Sequence, residues 1–257
     1  MKIIIILEKY GGYCNRLFQS VHYHAYSMEK GFKFFNPTML GLLKFDNYFF
    51  YIFDRLNNYF LRIFYKSIKI LFRKNRIFLY FNKNNYIKIV EGWNFRRNDL
   101  TNKYHNQLNK IYKFDNNIAL KSKSLIHQIN KLKDNGKFIV GLHIRRNDYK
   151  TWNNGKFYFS DKFYSRIISQ LKNNLNSDNY DPFIIAVSDE IINSINGIDC
   201  FSKRSWKDDQ IILQSCDLII GPPSTFTMWA SYISKTPLIV INSEENFNFE
   251  KSKICKG

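Results

Sequence analysis

Residues 138–149 read Phe-Ile-Val-Gly-Leu-His-Ile-Arg-Arg-Asn-Asp-Tyr, and this stretch decides the fold of the second half of the chain. The apolar run over residues 138–144 predicts a β-strand that ends directly in two arginines. Two adjacent guanidinium groups are costly to bury at a strand end unless an anionic ligand or an internal carboxylate pairs with them. The stretch therefore predicts either an anion-binding site or a structural network of arginine and carboxylate groups.

Side-chain alternation along an extended strand predicts which of these polar residues share a face. It places His143, Arg145 and Asn147 on one side and Arg146 and Asp148 on the other. Arginine suits planar, bidentate recognition of phosphate, so both arginines are candidate ligand-binding residues. Asp148 is the nearest carboxylate and a candidate partner for Arg146.

The remainder of the second half repeats one pattern, in which short apolar runs alternate with helical stretches. The predicted elements are a helix at 161–174 capped by Ser160, a strand at 183–187, a helix at 208–216, a strand at 218–220, a helix at 224–234 and a last strand at 238–241. Strands that alternate with helices indicate a parallel sheet. We therefore predict an α/β lobe over residues 136–257.

The first half opens with a similar unit. Residues 1–7 predict a buried strand, Gly11 and Gly12 a tight turn, and residues 15–30 a helix that ends at Gly31. A strand at 87–90 and a helix at 115–135 are also predicted. A strand, a turn and a helix in this order form the opening of a doubly wound sheet. The sequence thus predicts two lobes, 1–135 and 136–257.

The composition limits the class of protein. A chain of 257 residues, 45% of them hydrophobic, permits one large domain or two lobes of ordinary size. The net charge of +18 favours anionic partners, namely nucleotide phosphates, nucleic acid or acidic lipid. The four cysteines form no Cys-x-x-Cys pair, so we expect reduced thiols and no structural zinc.

Two features bear on membranes. The apolar run at the N-terminus is too short for the core of a signal peptide, and no stretch reaches the roughly 20 apolar residues that span a bilayer. We therefore expect a cytoplasmic protein. Residues 48–81 are rich in aromatic and basic side chains, with apolar residues at roughly helical intervals. In a protein with many aromatic residues, this pattern favours a helix that faces the core. The alternative is a surface that contacts the inner face of the membrane.

Three further polar clusters follow predicted strands or turns. They comprise Asn15 and Arg16 after the glycine pair, Asp189 after strand 183–187, and Ser224, Thr225 and Phe226 at the start of a helix. Ligands bind at the carboxyl ends of strands in open α/β sheets, and helix N-termini hold phosphates. The alternatives are a plain tight turn for the first cluster and ordinary helix caps at Asp189 and Ser224.

In this order, the clusters resemble the α-1,2-fucosyltransferases of glycosyltransferase family 11, and they share features with α-1,6- and protein O-fucosyltransferases. Residues 11–19 fit the family pattern Gly-Gly-x-x-Asn-[Gln/Arg]-Leu-Phe-Gln in full. Residues 143–149 fit His-x-Arg-Arg-Gly-Asp-Tyr except that Asn147 replaces the glycine. Residues 187–190 and 208–230 carry the other matching stretches, and the interval 35–130 carries none.

The resemblance implies a GT-B fold, in which two Rossmann-like lobes enclose a cleft. The C-terminal lobe is expected to bind the GDP-sugar and the N-terminal lobe to face the acceptor. The implied reaction is an inverting transfer of fucose from GDP-fucose, without a metal or other cofactor, to a glycan hydroxyl. The 2-OH of galactose in a surface polysaccharide such as lipopolysaccharide is the expected acceptor, and a lipid-linked glycan fits as well.

The resemblance also implies roles for individual residues. Arg145 is expected to contact the β-phosphate, and Asp148 is the candidate base for the acceptor hydroxyl. The remaining expected binding residues are His143 and Arg146 near the nucleotide, Asp189 at guanine, Ser224, Thr225 and Phe226 around the pyrophosphate, and Asn15 and Arg16 on the acceptor side.

Other classes of protein remain open from the sequence. A basic nucleic-acid-binding protein fits the charge and the aromatic content, but no RNA-binding motif is present, so we expect no nucleic acid partner. A transferase with another GDP-sugar is a second alternative. A sulfotransferase is a third, although the turn at Gly11-Gly12 lacks the lysine and hydroxyl of a phosphate loop. An inactive relative is a fourth.

Overall fold

A computed structural model describes residues 2–6, 11–39, 67, 87–90, 94–112, 116–190, 192, 194–202, 205–245, 247 and 254–255. The chain divides into two compact units, Met1–Asp115 and Asn116–Gly257. The aromatic and basic stretch at 48–81 lies outside the described residues apart from Ser67. None of the helices in the described ranges has both the length and the apolar character needed to cross a membrane.

The N-terminal unit contains a parallel sheet of three short strands in its described part. Its elements are β1 (Ile3–Ile6), α1 (Tyr13–Lys30), β2 (Lys33–Phe35), a 3-10 helix (Pro37–Met39), β3 (Ile87–Val90), α2 (Asn98–Lys103) and α3 (His105–Tyr112). The strand order is β2-β1-β3, and β1 runs parallel to both neighbours. Four consecutive isoleucines form β1 because branched side chains fit a pleated, buried strand.

The core of this unit lies between β1 and the aromatic side chains around it. Ile4 and Ile6 are fully buried and pack with Tyr23 and Val90. Helix α1 ends where Gly31 adopts a left-handed conformation (φ 64°), which a glycine accepts without steric cost. The predicted strand 1–7, helix 15–30 and strand 87–90 are therefore confirmed, whereas β2, α2 and α3 were not predicted.

The C-terminal unit is a six-stranded sheet with helices packed against it. Its elements are α4 (Asn116–Asp134), β4 (Lys137–Ile144), two 3-10 helices (Asn147–Lys150 and Trp152–Gly155), α5 (Asp161–Ser177), β5 (Asp181–Ser188), β6 (Cys200–Phe201), α6 (Trp206–Gln214), β7 (Leu218–Gly221), α7 (Thr225–Ser234), β8 (Leu238–Val240) and β9 (Ile254–Cys255). The strand order is β6-β5-β4-β7-β8-β9. All neighbours are parallel except β8 and β9, which pair antiparallel.

Alternating side chains of β4 fill the cores on both faces of this sheet. Val140, Leu142 and Ile144 pack in one cluster with α5, and Ile139 packs in the other. Gly141 also faces the second cluster, where a Cβ atom would lie 2.7 Å from Leu213 and 2.9 Å from the Cys216 thiol. The close approach of α6 to the sheet therefore requires a glycine at this position.

Helix α4 belongs to the C-terminal unit. Its residues Leu125 and Ile129 are buried in the same cluster as Ile139, and Lys133 forms an ion pair of 2.7 Å with Asp217. The structure divides the chain before this helix, whereas the sequence analysis placed the boundary after it, near residue 135. The apolar stripe that predicted the helix does not reveal which sheet the helix packs against.

Most predicted elements of the C-terminal unit are confirmed, including the cap of α5, where the Ser160 hydroxyl accepts a hydrogen bond from the Phe163 N–H. The strand at 238–241 is not the last one, because β9 follows it and pairs with it. The short β6 was not predicted. Both units show the mixed α/β organisation with parallel strands that the sequence predicts, and the two-lobe GT-B arrangement stays a prediction.

Candidate anion-binding site

The ends of three neighbouring strands bring most of the predicted site residues of the C-terminal unit together. Strand β4 lies between β5 and β7, with Ile144 opposite Ser188 and Leu142 opposite Ile220. The chain leaves these strands at Arg145, Asp189 and Pro222, respectively. Because the strands are parallel, all three exits lie at one edge of the sheet, where ligands of α/β proteins bind.

Arg145 is the central cation of this edge. Its guanidinium group forms ion pairs with Asp148 (2.7 Å) and Asp189 (3.0 Å). The same group lies over the ring of Tyr149, 5.5 Å from its centroid. The Arg145 side chain is 29% exposed, so the guanidinium group is held in place and still reachable from solvent. Such a fixed, charged fork suits a planar or tetrahedral anion.

Asp189 connects β5 to β4. Besides its ion pair with Arg145, its carboxylate accepts a hydrogen bond from the Arg146 N–H at 2.8 Å. Asn147 donates from its side-chain amide to the Asp189 carbonyl at 3.2 Å. Among the described residues that follow Asp189, which are 190, 192 and 194–202, no helix begins, so the helix cap that was the alternative from the sequence is not observed there. The observed contacts hold Arg145 in position, and the expected contact of Asp189 with guanine stays a prediction.

Arg146 points away from Arg145 and into the protein. Its side chain is only 4% exposed, and it donates hydrogen bonds to the Phe159 carbonyl and to the Asp161 carboxylate. The guanidinium group also lies 5.0 Å from the centroid of Tyr158 and 5.4 Å from that of Tyr164. Internal groups therefore surround Arg146, as in the structural network that the sequence gave as an alternative, and its expected contact with the nucleotide stays a prediction.

The predicted position of Asp148 is wrong. Strand alternation placed it beside Arg146, but the structure pairs it with Arg145. The reason is that the strand ends at Ile144 and the chain turns into a 3-10 helix at Asn147–Lys150. Asn147 has a positive φ of 24°, a region that favours glycine, which is the residue of the family pattern.

The start of α7 forms the opposite side of the site. The Ser224 hydroxyl accepts a hydrogen bond from the Phe226 N–H at 3.2 Å, so Ser224 caps the helix as the alternative from the sequence stated. Thr225, the first residue of the helix, is partly exposed. The positive end of the helix dipole therefore faces the edge of the sheet where Arg145 lies.

Tyr149 ties the Arg145 loop to this helix start. Its hydroxyl donates a hydrogen bond to the Pro223 carbonyl at 2.7 Å, while its ring lies under Arg145. Burial raises the pKa of Tyr149, so the hydroxyl keeps its proton. Gln210 supports the same turn from inside by donating to the Phe226 carbonyl at 2.7 Å. Neither residue was predicted as part of the site, although Tyr149 closes the motif that identified it.

His143 lies beneath the site as an uncharged ring. It is 2% exposed and packs against Phe226 with ring centroids 5.1 Å apart. Burial, together with the nearby charge of Arg145, lowers the pKa of His143 to about 3. A Cβ atom on Gly221 would lie 3.0 Å from the His143 Cβ, so the glycine gives the ring its space. The neutral imidazole can take part in hydrogen bonds without adding a charge.

Asn15 and Arg16 lie in the first turn of α1 in the N-terminal unit. Gly11 has a φ of 58°, and a Cβ atom there would collide with the Asn15 amide at 2.3 Å, so the turn requires a glycine. Arg16 donates to the Thr38 carbonyl at 3.1 Å, and its guanidinium group lies 5.9 Å from the Tyr13 ring centroid. Burial lowers the pKa of Arg16. The backbone partner at Thr38 had no signal in the sequence.

No group of three or more His, Cys, Asp or Glu side chains in the described part of the chain is arranged to hold a metal ion. Of the cysteines, Cys14 and Cys216 are buried thiols and Cys200 is half-buried, all without a disulfide. Burial raises the pKa of Cys216 to about 12, which keeps this thiol protonated and unreactive.

Comparison with known proteins gives two kinds of match. The family model described as Glycosyl transferase family 11 matches residues 58–256 of the chain. No curated protein matches the chain in sequence.

Solved structures resemble the chain in fold. The fucosyltransferase NodZ from Bradyrhizobium has a TM-score of 0.54 and 11% identity, covering 100% of this chain and 99% of its own. NodZ α-1,6-fucosyltransferase soaked with GDP-fucose has a TM-score of 0.54 and 10% identity, covering 100% of both chains. A mutant of Arabidopsis thaliana FUT1 in complex with GDP has a TM-score of 0.52 and 12% identity, covering 98% of this chain and 73% of its own.

Proposed function

Since the chain belongs to glycosyltransferase family 11, we propose that it transfers fucose from GDP-fucose to a glycan hydroxyl. The observation that carries this proposal is the placement of Arg145 and the N-terminus of α7 at one edge of the sheet, bridged by Tyr149. The donor is supported by the similar folds, among which are proteins solved with GDP and with GDP-fucose. A galactose 2-OH is the proposed acceptor on the family resemblance.

The proposed chemistry uses the charges of the C-terminal unit. In the reaction, the bond between C1 of fucose and the β-phosphate oxygen breaks, and GDP departs with the bonding electron pair. Negative charge therefore grows on the β-phosphate, where Arg145 and the first turn of α7 stabilise it. Ser224 and Thr225 at that turn contribute polar groups, and the packed rings of Phe226 and His143 lie beneath the proposed phosphate site. Because these groups supply the positive charge, we propose that no divalent metal is needed.

The acceptor hydroxyl attacks C1 from the opposite face and loses its proton to a base. Asp148 is the proposed base, because its side chain is 59% exposed and it lies beside the phosphate-binding arginine. The Asp148 carboxylate is paired with Arg145, and a phosphate that binds Arg145 in its place would release the carboxylate to act as a base. Replacement by asparagine, Asp148→Asn, is expected to lower kcat by roughly 10²-fold if Asp148 is the base. A loss of GDP affinity with unchanged kcat would instead make Asp148 a positioning residue for Arg145.

The donor site is tested first by binding. We expect GDP to raise the melting temperature more than ADP, UDP or CDP does, with EDTA present throughout. Equal stabilisation by all four nucleotides, or none, would refute the guanine-nucleotide site, and stabilisation by GDP only after a divalent metal is added would refute the metal-independent mechanism. Linkage analysis of the product from GDP-fucose and a β-galactoside then tests transfer to the 2-OH against transfer to other positions.

The location and the wider partners are also proposals. We propose that the protein works in the cytoplasm at the inner face of the membrane, where a lipid-linked glycan would be presented. The support is the net charge of +18, which attracts anionic headgroups. Co-sedimentation with vesicles that contain anionic lipid, and not with neutral vesicles, is the expected result. Equal recovery with both kinds of vesicle contradicts the proposal.

A further inference from the structure

We propose that Trp152 is a binding platform for a sugar ring of one of the two substrates, a subsite beside Arg145 that recognises the C–H face of a pyranose. The inference rests on the proposed function. Trp152 lies in the short 3-10 helix Trp152–Gly155, directly after the Arg145 loop, and is 48% exposed. Its position next to the Arg145 loop makes this exposed indole the candidate contact, because tryptophan combines a large apolar face with a polar N–H.

Trp152 packs in a row with two other aromatic side chains, and this packing leaves 48% of the Trp152 residue exposed. Its ring lies 4.9 Å from that of Tyr149 at an interplanar angle of 30°, and 5.5 Å from that of Phe157 at 31°. The Arg145 guanidinium group lies on Tyr149 at one end of the row, and the Lys156 ammonium group lies 5.5 Å from the Phe157 centroid at the other. The indole is therefore oriented before any ligand arrives, which lowers the entropic cost of binding.

The row also fixes the distance between the indole and the phosphate site. Only Tyr149 separates Trp152 from Arg145, and each step of the row is about 5 Å. In the proposed reaction, the acceptor hydroxyl attacks C1 of the donor sugar, the carbon that is bonded to the β-phosphate oxygen. The donor sugar and the acceptor sugar therefore both lie close to the β-phosphate. Trp152 is therefore near enough to Arg145 for a substrate that binds the guanidinium group to reach the indole as well.

The residues beside Trp152 suit the hydroxyl groups of a sugar. Asn153 and Asn154 are exposed and have positive φ angles of 51° and 56°. Consecutive left-handed residues are unfavourable for residues other than glycine, and asparagine tolerates them best. The turn places amide donors and acceptors next to an aromatic face. A pyranose has the matching character, with an electropositive C–H face for the aromatic ring and hydroxyls around its rim.

The first test is binding without turnover. We would titrate the protein with methyl glycosides of galactose, glucose, mannose and N-acetylglucosamine and with GDP-fucose, and follow tryptophan fluorescence. The expected result is a saturable change that is lost in Trp152→Phe, since the reporting indole is gone. The matched control is Trp206→Ala, because Trp206 has the same side chain, is 40% exposed in the same unit and stands at the start of α6. An identical signal in Trp152→Phe would overturn the proposal.

The second test is kinetic, and it distinguishes whether the pyranose that binds Trp152 belongs to the acceptor or to the donor. Trp152→Leu keeps an apolar side chain against Tyr149 but removes the flat face, and we expect about a tenfold rise in one KM. Trp152→Phe is expected to restore most of the loss. A rise in the acceptor KM assigns the platform to the acceptor, and a rise in the KM of GDP-fucose without a change in the Kd of GDP assigns it to the donor sugar.

Two outcomes overturn the proposal and leave the proposed function standing. If Trp152→Leu weakens the binding of GDP itself, the indole acts through Tyr149 and Arg145 or stacks on guanine. In that case Trp152 is not a platform for a sugar. If neither KM nor the Kd of GDP changes, Trp152 contacts no substrate. Failure of the proposed function itself looks different, because the wild-type protein would then show no selective stabilisation by GDP.

Discussion

Arg16 lies in the first turn of the helix that follows β1, and Arg145 lies directly after β4. The charges of these two arginines are compensated differently. Arg145 is held by two carboxylates, those of Asp148 and Asp189. Arg16, within the described part of its unit, is held by the Thr38 carbonyl and the Tyr13 ring, and burial lowers its pKa. The first arrangement keeps a full positive charge fixed and accessible, and the second keeps an arginine among neutral groups.

This difference indicates a division of labour. A guanidinium group that is oriented by carboxylates is preorganised for an anion whose charge grows during the reaction. An arginine among neutral partners suits hydrogen bonds to uncharged ligand groups such as hydroxyls. The contrast therefore matches the proposed roles, with the nucleotide diphosphate at Arg145 and the acceptor glycan at Arg16.

The largest expected effect is that of Arg145→Ala. Because the proposed contact to the β-phosphate would strengthen in the transition state, we expect kcat/KM to fall by about 10³-fold. The fold should persist, as judged by circular dichroism and by the melting temperature. Lys172→Ala is the matched control, since it removes the same charge elsewhere in the same unit, at the ion pair with Asp199. If the activity of Arg145→Ala stays within a few-fold of wild type, Arg145 does not stabilise the β-phosphate and the proposed difference in role between the two arginines is refuted.

Arg146→Ala is expected to act on stability instead. The change removes a buried cation with its hydrogen bonds to the Phe159 carbonyl and to Asp161, so the free energy of unfolding should fall by about 2 kcal/mol. Urea titration measures this loss. Arg166→Ala is the control, because Arg166 is a surface arginine that donates to the Glu244 carbonyl, and it should cost well under about 1 kcal/mol. A fully stable Arg146→Ala that no longer binds GDP would place Arg146 at the ligand.

Acid should destabilise the N-terminal unit more than the C-terminal unit. Burial lowers the pKa of His22 and His24 to about 4 and that of His143 to about 3. Between the unfolded value near 6.5 and these folded values, the unfolded chain binds more protons. The contribution of these histidines to the free energy of unfolding is therefore fully present above about pH 6.5. It decreases as the pH is lowered, by at most roughly 1.4 kcal/mol per pH unit for each histidine.

Hydrogen exchange checks this pH dependence unit by unit. Protection in α1, which carries two of these histidines, should decrease before protection in α5 as the pH is lowered from 7 to 5. Replacing His22 by asparagine should reduce the slope of the unfolding free energy with pH. Equal loss of protection in both helices would mean that the two units do not differ in acid sensitivity.

The smallest expected effect is that of Arg16→Ala. If Arg16 serves uncharged hydroxyls, its loss should raise the acceptor KM by about tenfold and leave the Kd of GDP unchanged. Lys30→Ala at the exposed end of the same helix is the control. A drop in GDP affinity as large as that of Arg145→Ala would show that both arginines serve the nucleotide.

The sequence predicts the parts of the fold that depend on local pattern. The apolar run before Arg145 and the capped helix after Ser160 have the length and periodicity that identify a strand and a helix. Strands of two residues such as β6 and β9 have no pattern of their own, because their pairing depends on the neighbouring strand. The assignment of α4 to the second sheet likewise depends on packing and not on helix propensity.

The candidate site shows the same limit. That Arg145, Asp189 and Ser224 meet follows from parallel strands, whose carboxyl ends lie at one edge. The partners of each charge do not follow, because a left-handed residue at Asn147 reverses the direction of Asp148. The pairing of Arg146 with Asp161 depends on the path of the intervening loop, which no periodicity encodes.

The carboxylates on Arg145 have a consequence for the end of the catalytic cycle. In the proposed reaction, Asp189 is in place to take back the guanidinium group when GDP leaves, and Asp148 can do so once it has released the acceptor proton to solvent. The departure of GDP is then an exchange of partners for Arg145 and not the exposure of an unpaired charge. Product release limits the rate of many enzymes. In the proposed site, the two carboxylates compete with GDP for Arg145, so this arginine would bind the departing GDP less tightly than an unpaired arginine would.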